Sequence, residues 1–128
     1  SSAASDVYKR QHQGGDHRGR LMTTVAFLRD ARGLCGIRVS GHAGYAPAGE
    51  DIVCAAASVL ITTCANALET VASIRPNVSQ SEKPVMIQVS LPGGLSPADE
   101  HDARVILRTA EQGFRDIAAQ YPSYLQII

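Results

Sequence analysis

The sequence predicts an α+β fold, a two-layer sandwich in which two helices cover one face of a small mixed or antiparallel sheet. Two segments have apolar residues at three- and four-residue steps, the pattern of an amphipathic helix with one buried side. Three shorter segments are β-prone, and each has about one apolar face. Their order is strand, strand, helix, strand, helix, and residues 123–128 are suited to a short final strand. We therefore predict a single domain over residues 22–128.

The first two strands are predicted to form an antiparallel hairpin. Residues 23–30 (TTVAFLRD) are apolar and β-prone, and residues 34–40 (LCGIRVS) alternate between two faces. The segment between them contains Gly33, which favours a turn because glycine adopts a positive φ without steric cost. The face of the second strand that we expect in the core consists of Cys35, Ile37 and Val39.

The first helix is predicted from residue 52 to about residue 73. It follows a loop at residues 41–50 that contains too much glycine and proline for regular structure. Asp51 is predicted as the N-cap, since a carboxylate there can accept a hydrogen bond from an amide of the first turn. The apolar stripe of this helix consists of Val53, Ala57, Leu60, Ile61, Cys64, Leu68 and Val71.

The second half of the chain is predicted as connection, strand and helix. Residues 74–84 are mostly polar and are expected to connect the first helix to a third strand at residues 85–92. Ser96 is a suitable N-cap for the second helix, with Pro97 at its first position, and Pro122 ends it. The apolar positions are Val85, Ile87 and Val89 in the strand and Ala103, Ile106, Leu107, Ala110, Phe114, Ile117 and Tyr121 in the helix.

Composition argues against nucleic acid and a charged membrane surface as partners. The chain has 12 basic and 12 acidic residues, so it lacks the excess positive charge that nucleic-acid binding requires. The same balance gives no reason to expect a charged membrane surface as partner, and we expect no apolar run to reach the roughly 18 residues that span a bilayer.

The N-terminal segment and the cysteine usage indicate where the domain begins and which redox compartment it suits. Residues 1–21 are polar and have no apolar segment of a secretory signal, so we expect them to be disordered or not native to the protein. The chain has three cysteines, an odd number, and no C-x-x-C pair. This usage favours a reducing cytoplasm over a disulfide framework.

The residues around Cys54 are those that nucleophilic catalysis by a thiol requires. The predicted helix start places Cys54 in the first turn, where the helix dipole favours the thiolate and backbone N–H groups could form an oxyanion hole. His42, twelve positions earlier, could stabilise the thiolate and protonate a leaving amine. On the residues alone the alternatives stay open, because cysteines are often small buried hydrophobes, the interpretation we adopt for Cys35 and Cys64. A histidine in a loop is also often simply solvated.

Metal and phosphate sites are poorly supported. His42 and Cys54 lack the short ligand spacing of structural zinc sites, and His101 is the remaining ligand of the usual types outside the N-terminal 21 residues. The glycines match neither of the common phosphate-binding patterns, and the loop has no lysine. We therefore predict no metal and no cofactor.

The segment GHAGYAPAGEDIVCAAAS, residues 41–58, resembles the signature of the bacterial ribosomal-processing cysteine peptidases, the Prp family. The resemblance extends over about residues 22–128 and implies a homodimeric cytoplasmic enzyme. It also implies a substrate, the large-subunit ribosomal protein numbered twenty-seven, from which the enzyme removes an N-terminal extension. By position, His42 and Cys54 match the catalytic dyad, and the loop matches a mobile segment that orders over bound peptide. Asp51 matches an acidic position, with capping favoured over orienting His42.

Four further residues are predicted to contact the peptide substrate. Gly41 and Gly44 would let the loop open and close over the peptide. Tyr45 would pack on the peptide or anchor the loop, and Ser58, one turn after Cys54, would line the same groove or be an ordinary surface serine. The alternative function is a non-enzymatic, ribosome-associated binding module, which would need neither His42 nor Cys54.

Overall fold

The computed structural model describes residues 22–41, 48–83 and 85–128, with the backbone alone described for residues 48–51. These residues form a five-stranded sheet and two long helices. In chain order the elements are β1 (Thr23–Asp30), β2 (Gly33–Ser40), α1 (Ala48–Thr70), β3 (Asn77–Glu82), β4 (Val85–Ser90), α2 (Pro97–Gln120) and β5 (Leu125–Ile127).

The sheet is mixed and has the strand order β3-β4-β2-β1-β5. β1 and β2 form the predicted antiparallel hairpin, with Gly33 at a φ of 122° in its turn. The suspected last strand is present: β5 pairs parallel to β1, with Thr23 opposite Leu125. The predicted α+β class is therefore confirmed.

One core joins the sheet to both helices. Alternate residues of the central strands point toward the helices, and a stripe on each helix packs against them. The second helix begins as predicted, since the Ser96 hydroxyl accepts a hydrogen bond from Asp99 N at 3.1 Å. The described residues with 0% exposure are Val25, Ile37 and Val89 from the sheet, Val53 and Leu68 from α1, and Ala103, Leu107 and Phe114 from α2.

The predicted connection at residues 74–84 is wrong, because Asn77–Glu82 is a strand. β3 pairs antiparallel with β4 and forms one edge of the sheet. Five of its six residues are exposed, including Val78 at 46%. An edge strand that no helix covers needs no alternation of apolar residues, so its sequence carries no strand signal.

The bounds of α1 also differ from prediction. The helix begins at Ala48 and ends at Thr70. Ser73 then adopts a positive φ of 58°. Ile74 N donates a hydrogen bond to Leu68 O at 2.7 Å, so a carbonyl group in the last turn of the helix has a partner. Val71 consequently leaves the predicted stripe and is 76% exposed.

A β-bulge changes which residues of β2 face the core. Arg29 pairs with Leu34 and Leu28 pairs with Gly36, so Cys35 is an extra residue without a partner in the register. The bulge reverses the alternation, and Leu34 takes the core position predicted for Cys35. Cys35 is half-buried instead.

By length and composition, α1 from Ile52 to Thr70 is apolar enough to cross a membrane, contrary to the expectation that no run would be. The apolar stripe of this helix nevertheless packs in the protein core, as in core helices of globular domains. The opposite side is exposed and uncharged up to Glu69, and it includes Ile52 at 55% and Val59 at 63% exposure.

Candidate active site

A groove of about 470 Å³ lies beside the first half of α1. One wall is the helix, and the rest comes from the ends of β1 and β2 and from the β3–β4 hairpin. The described residues that line it are Thr23, Val39, Ser40, Gly41, Cys54, Ala57, Ser58, Ile61, Gln80, Ser81, Glu82, Val85, Met86 and Ile87.

Cys54 lies on the wall of this groove. It is about 100° around the helix from the fully buried Val53, which turns its side chain from the core toward the groove. The thiol is half-buried, and its Sγ is 3.5 Å from the Oγ1 of Thr23. Cys54 is therefore accessible from the groove rather than packed in the core.

Gly41 brings the end of β2 to the same groove. A Cβ at Gly41 would lie 2.9 Å from the Cα of Thr23, so the two backbones approach more closely than a side chain allows. Gly41 N also donates to Val85 O at 3.3 Å. The chain thus leaves β2 within the groove, and His42 is the next residue in the sequence.

The structure brings together three of the predicted site residues, namely Gly41, Cys54 and Ser58. His42, Gly44 and Tyr45 lie outside the described residues, as does the side chain of Asp51. The assignments of these four residues stay predictions.

Two details of the predicted site are wrong. Asp51 is the fourth residue of α1 and cannot be its N-cap, because a cap flanks the helix. Cys54 is the seventh helical residue, beyond the first turn where the dipole acts most strongly, and its N–H lies in the intrahelical ladder rather than in an oxyanion hole. Pro47 in the sequence, directly before Ala48, was the available signal for the earlier start.

Sequence reasoning missed Thr23 and the β3–β4 part of the groove. Thr23 precedes Cys54 by 31 positions, so no local pattern links them. Glu82, at the end of β3, is the one charged residue among the described groove residues. It was missed because β3 was not predicted.

The other two thiols differ from Cys54 in place and chemistry. Cys64 is buried in the core as predicted, and burial raises its pKa to about 11. Burial, followed by the charge of Asp30, also raises the pKa of the half-buried Cys35. Neither thiol is therefore suited to act as a nucleophile near neutral pH.

Within residues 22–41, 48–83 and 85–128, no three His, Cys, Asp or Glu side chains are grouped to hold a metal ion. The chemistry these residues offer is that of a thiol beside an open groove.

The sequence model of the family "Cysteine protease Prp" matches residues 22–126. The chain belongs to this cysteine protease family. The match covers nearly all of the described fold and includes Gly41, Cys54 and Ser58. Thr23 and the β3–β4 hairpin also lie within it.

Individual relatives agree with this membership. The ribosomal processing cysteine protease Prp of Bacillus subtilis is 23% identical over 107 residues, which cover 84% of this chain and 95% of the relative. The crystal structure of the Streptococcus mutans protein SMU.848 is 26% identical, has a TM-score of 0.76, and matches over 88% of this chain and 96% of that one.

A Staphylococcus aureus protein shares the fold. The crystal structure of its essential ribosomal processing protease Prp in complex with a substrate peptide is 23% identical, with a TM-score of 0.72. It matches over 84% of this chain and 98% of that chain.

Proposed function

We propose that this protein is a cysteine endopeptidase that removes the N-terminal extension of the large-subunit ribosomal protein numbered twenty-seven. Cys54 is the nucleophile and His42 is the acid–base partner. The membership of the Prp family supports the reaction class, and the Bacillus subtilis relative is named for ribosomal processing.

The observation that carries this proposal is the position of Cys54 on the wall of an open groove. An extended peptide needs such a groove, and a nucleophile must be accessible from it. Gly41 lines the same groove, so the chain enters the loop with His42 from a point beside the thiol. The order of residues along the chain therefore supports a catalytic dyad of His42 and Cys54 at this groove.

The reaction follows from these groups. The Cys54 sulfur attacks the carbonyl carbon of the scissile bond, and the C–N bond breaks as His42 transfers a proton to the leaving amine. A water molecule, deprotonated by His42, then hydrolyses the thioester and restores the thiol. Asp51, one helical turn before Cys54, is proposed to orient His42, since its helical position excludes capping.

Gly41, Gly44, Tyr45 and Ser58 are proposed to contact the substrate. Ser58 and Gly41 line the groove, which supports their part of the assignment. The resemblance of residues 41–58 to the family signature supports the proposal for Gly44 and Tyr45.

The test is to incubate the protein with an extended and with a trimmed form of the ribosomal protein and to measure the masses of the products. We expect the extended form to lose its extension in one cut and the trimmed form to stay unchanged. Stable binding of the extended form without any change of mass would support the alternative of a ribosome-associated binding module and contradict the peptidase.

We also propose that the protein is a cytoplasmic homodimer without a nucleic-acid or membrane partner. The odd number of cysteines supports the cytoplasm as compartment. The net charge of zero supports the absence of nucleic-acid and membrane partners. The exposed side of α1 supports the dimer, because it is uncharged from Ile52 up to Glu69 and includes Ile52 and Val59.

We expect sedimentation to give the mass of a dimer for the wild-type protein and of a monomer for Val59→Glu, since the variant buries a charge at the contact. The matched control is Arg108→Glu on the exposed side of α2, which should leave the dimer intact. A monomeric wild-type protein would contradict the dimer, and a dimeric Val59→Glu would exclude this side of α1.

A further inference from the structure

Thr23 is the one polar residue that is buried in the described part of the chain, with 3% exposure. It is the first residue of β1 and lies on the same face of the strand as Val25. Valine has nearly the same shape as threonine and would fill this position without the cost of burying a hydroxyl. A buried hydroxyl therefore calls for a hydrogen-bond partner.

The hydrogen-bond partner of the Thr23 hydroxyl among the described residues is the Cys54 thiol, with Oγ1 and Sγ 3.5 Å apart. Three backbone contacts hold Thr23 in place. Thr23 N donates to Tyr124 O at 2.9 Å, Leu125 of β5 is its parallel neighbour, and Gly41 packs closely on its Cα. The hydroxyl is thus presented to the sulfur by a rigid strand.

We propose that Thr23 is a positioning residue that holds the Cys54 sulfur toward the groove and donates a hydrogen bond to its thiolate. This inference rests on the proposed function of Cys54. A thiolate has lone pairs but no proton, so the hydroxyl must be the donor to it. Hydrogen bonds to an ionised group are about twice as strong as neutral ones, so the contact favours the thiolate over the thiol.

The hydrogen bond from Thr23 would also stabilise the Cys54 thiolate where the N-terminus of α1 does so only weakly. Cys54 is in the second turn of α1, where the dipole contributes less than in the first. Among the described side chains that line the groove, Glu82 is the charged one. In the sequence, His42 follows Gly41 and Asp51 precedes Cys54 by three positions. The negative charge of Glu82 opposes a thiolate in the same groove, so a hydrogen-bond donor such as Thr23 is needed to stabilise it.

The test measures the alkylation of Cys54 by iodoacetamide as a function of pH, with each cysteine identified by peptide mass. Burial raises the pKa of Cys64 and of Cys35, so both should be alkylated only at higher pH than an ordinary thiol. Thr23→Val removes the hydroxyl at constant shape, and Thr23→Ser keeps it. Thr24→Val is the matched control, because Thr24 points to the opposite face of the sheet.

We expect Thr23→Val to raise the midpoint pH of Cys54 alkylation by about one unit, with roughly tenfold less thiolate below that midpoint. Thr23→Ser should keep the midpoint close to that of the wild type, and Thr24→Val should match the wild type. Thermal unfolding checks that each variant is folded. If Thr23→Val does not fold, Thr23→Ala and Thr23→Ser provide the same comparison.

If folded Thr23→Val has the same alkylation midpoint as the wild type, the inference is wrong. Equal midpoints for folded Thr23→Ala and folded Thr23→Ser would overturn it in the same way. Labelling does not depend on cleavage. A wild-type protein that leaves the ribosomal protein uncut would therefore remove the proposed function while the coupling of Thr23 to Cys54 is still measured.

Discussion

Cys54→Ala is expected to abolish removal of the extension, with a loss of rate on the order of 10⁴-fold or more. Cys54 is half-buried on the groove wall rather than in the core, so the substitution removes the proposed nucleophile and leaves the packing of α1 intact. The measurements are product mass over time and the free energy of unfolding by chemical denaturation.

Cys64→Ala is the matched control for this loss. It removes a thiol ten positions along the same helix, at a site with 3% exposure in the core. We expect it to lower the free energy of unfolding by about 1 kcal/mol and to keep the cleavage rate. If Cys64→Ala were inactive and Cys54→Ala active, the assignment of the nucleophile would be wrong.

Phe114→Ala is expected to lower the free energy of unfolding by about 3–5 kcal/mol, the largest loss for any single residue considered. The Phe114 side chain is fully buried on α2 between the two layers, and its ring centroid is 6.4 Å from that of Phe27. Its removal leaves a cavity that the sheet and helices cannot fill. Urea denaturation measures the loss.

The comparison for Phe114 is Val105→Ala on the same helix. Val105 is 51% exposed, so its truncation should change the free energy of unfolding by no more than about 0.5 kcal/mol. Equal losses in the two variants would show that the core does not depend on Phe114.

The elements predicted correctly are those with local signals. α2 has an N-cap, a proline at its first position and an apolar stripe, and the structure begins it at Pro97. The β1–β2 hairpin has Gly33 in its turn, and its bounds were correct to one residue. β3 could not be predicted, because a polar edge strand depends on backbone pairing to β4 rather than on side-chain pattern.

The candidate site could be predicted only in part for the same reason. Cys54 and Ser58 are one helical turn apart, so their shared groove follows from the helix alone. The bulge at Cys35 and the contact of Thr23 with Cys54 depend on segments that are distant in sequence. Tertiary packing determines both, and periodicity does not contain that information.

The parallel pairing of β1 with β5 has a consequence for when the site forms. It joins Thr23 to Leu125, about a hundred residues apart, whereas β1 and β2 are joined by a tight turn. Contacts of long sequence separation carry the larger loop-closure entropy and form late. During synthesis, the strand that holds Thr23 against Cys54 therefore has no β5 neighbour until residue 127 has been added. A chain still being made would fold its hairpin first and complete the surroundings of Thr23 only after β5 has been added.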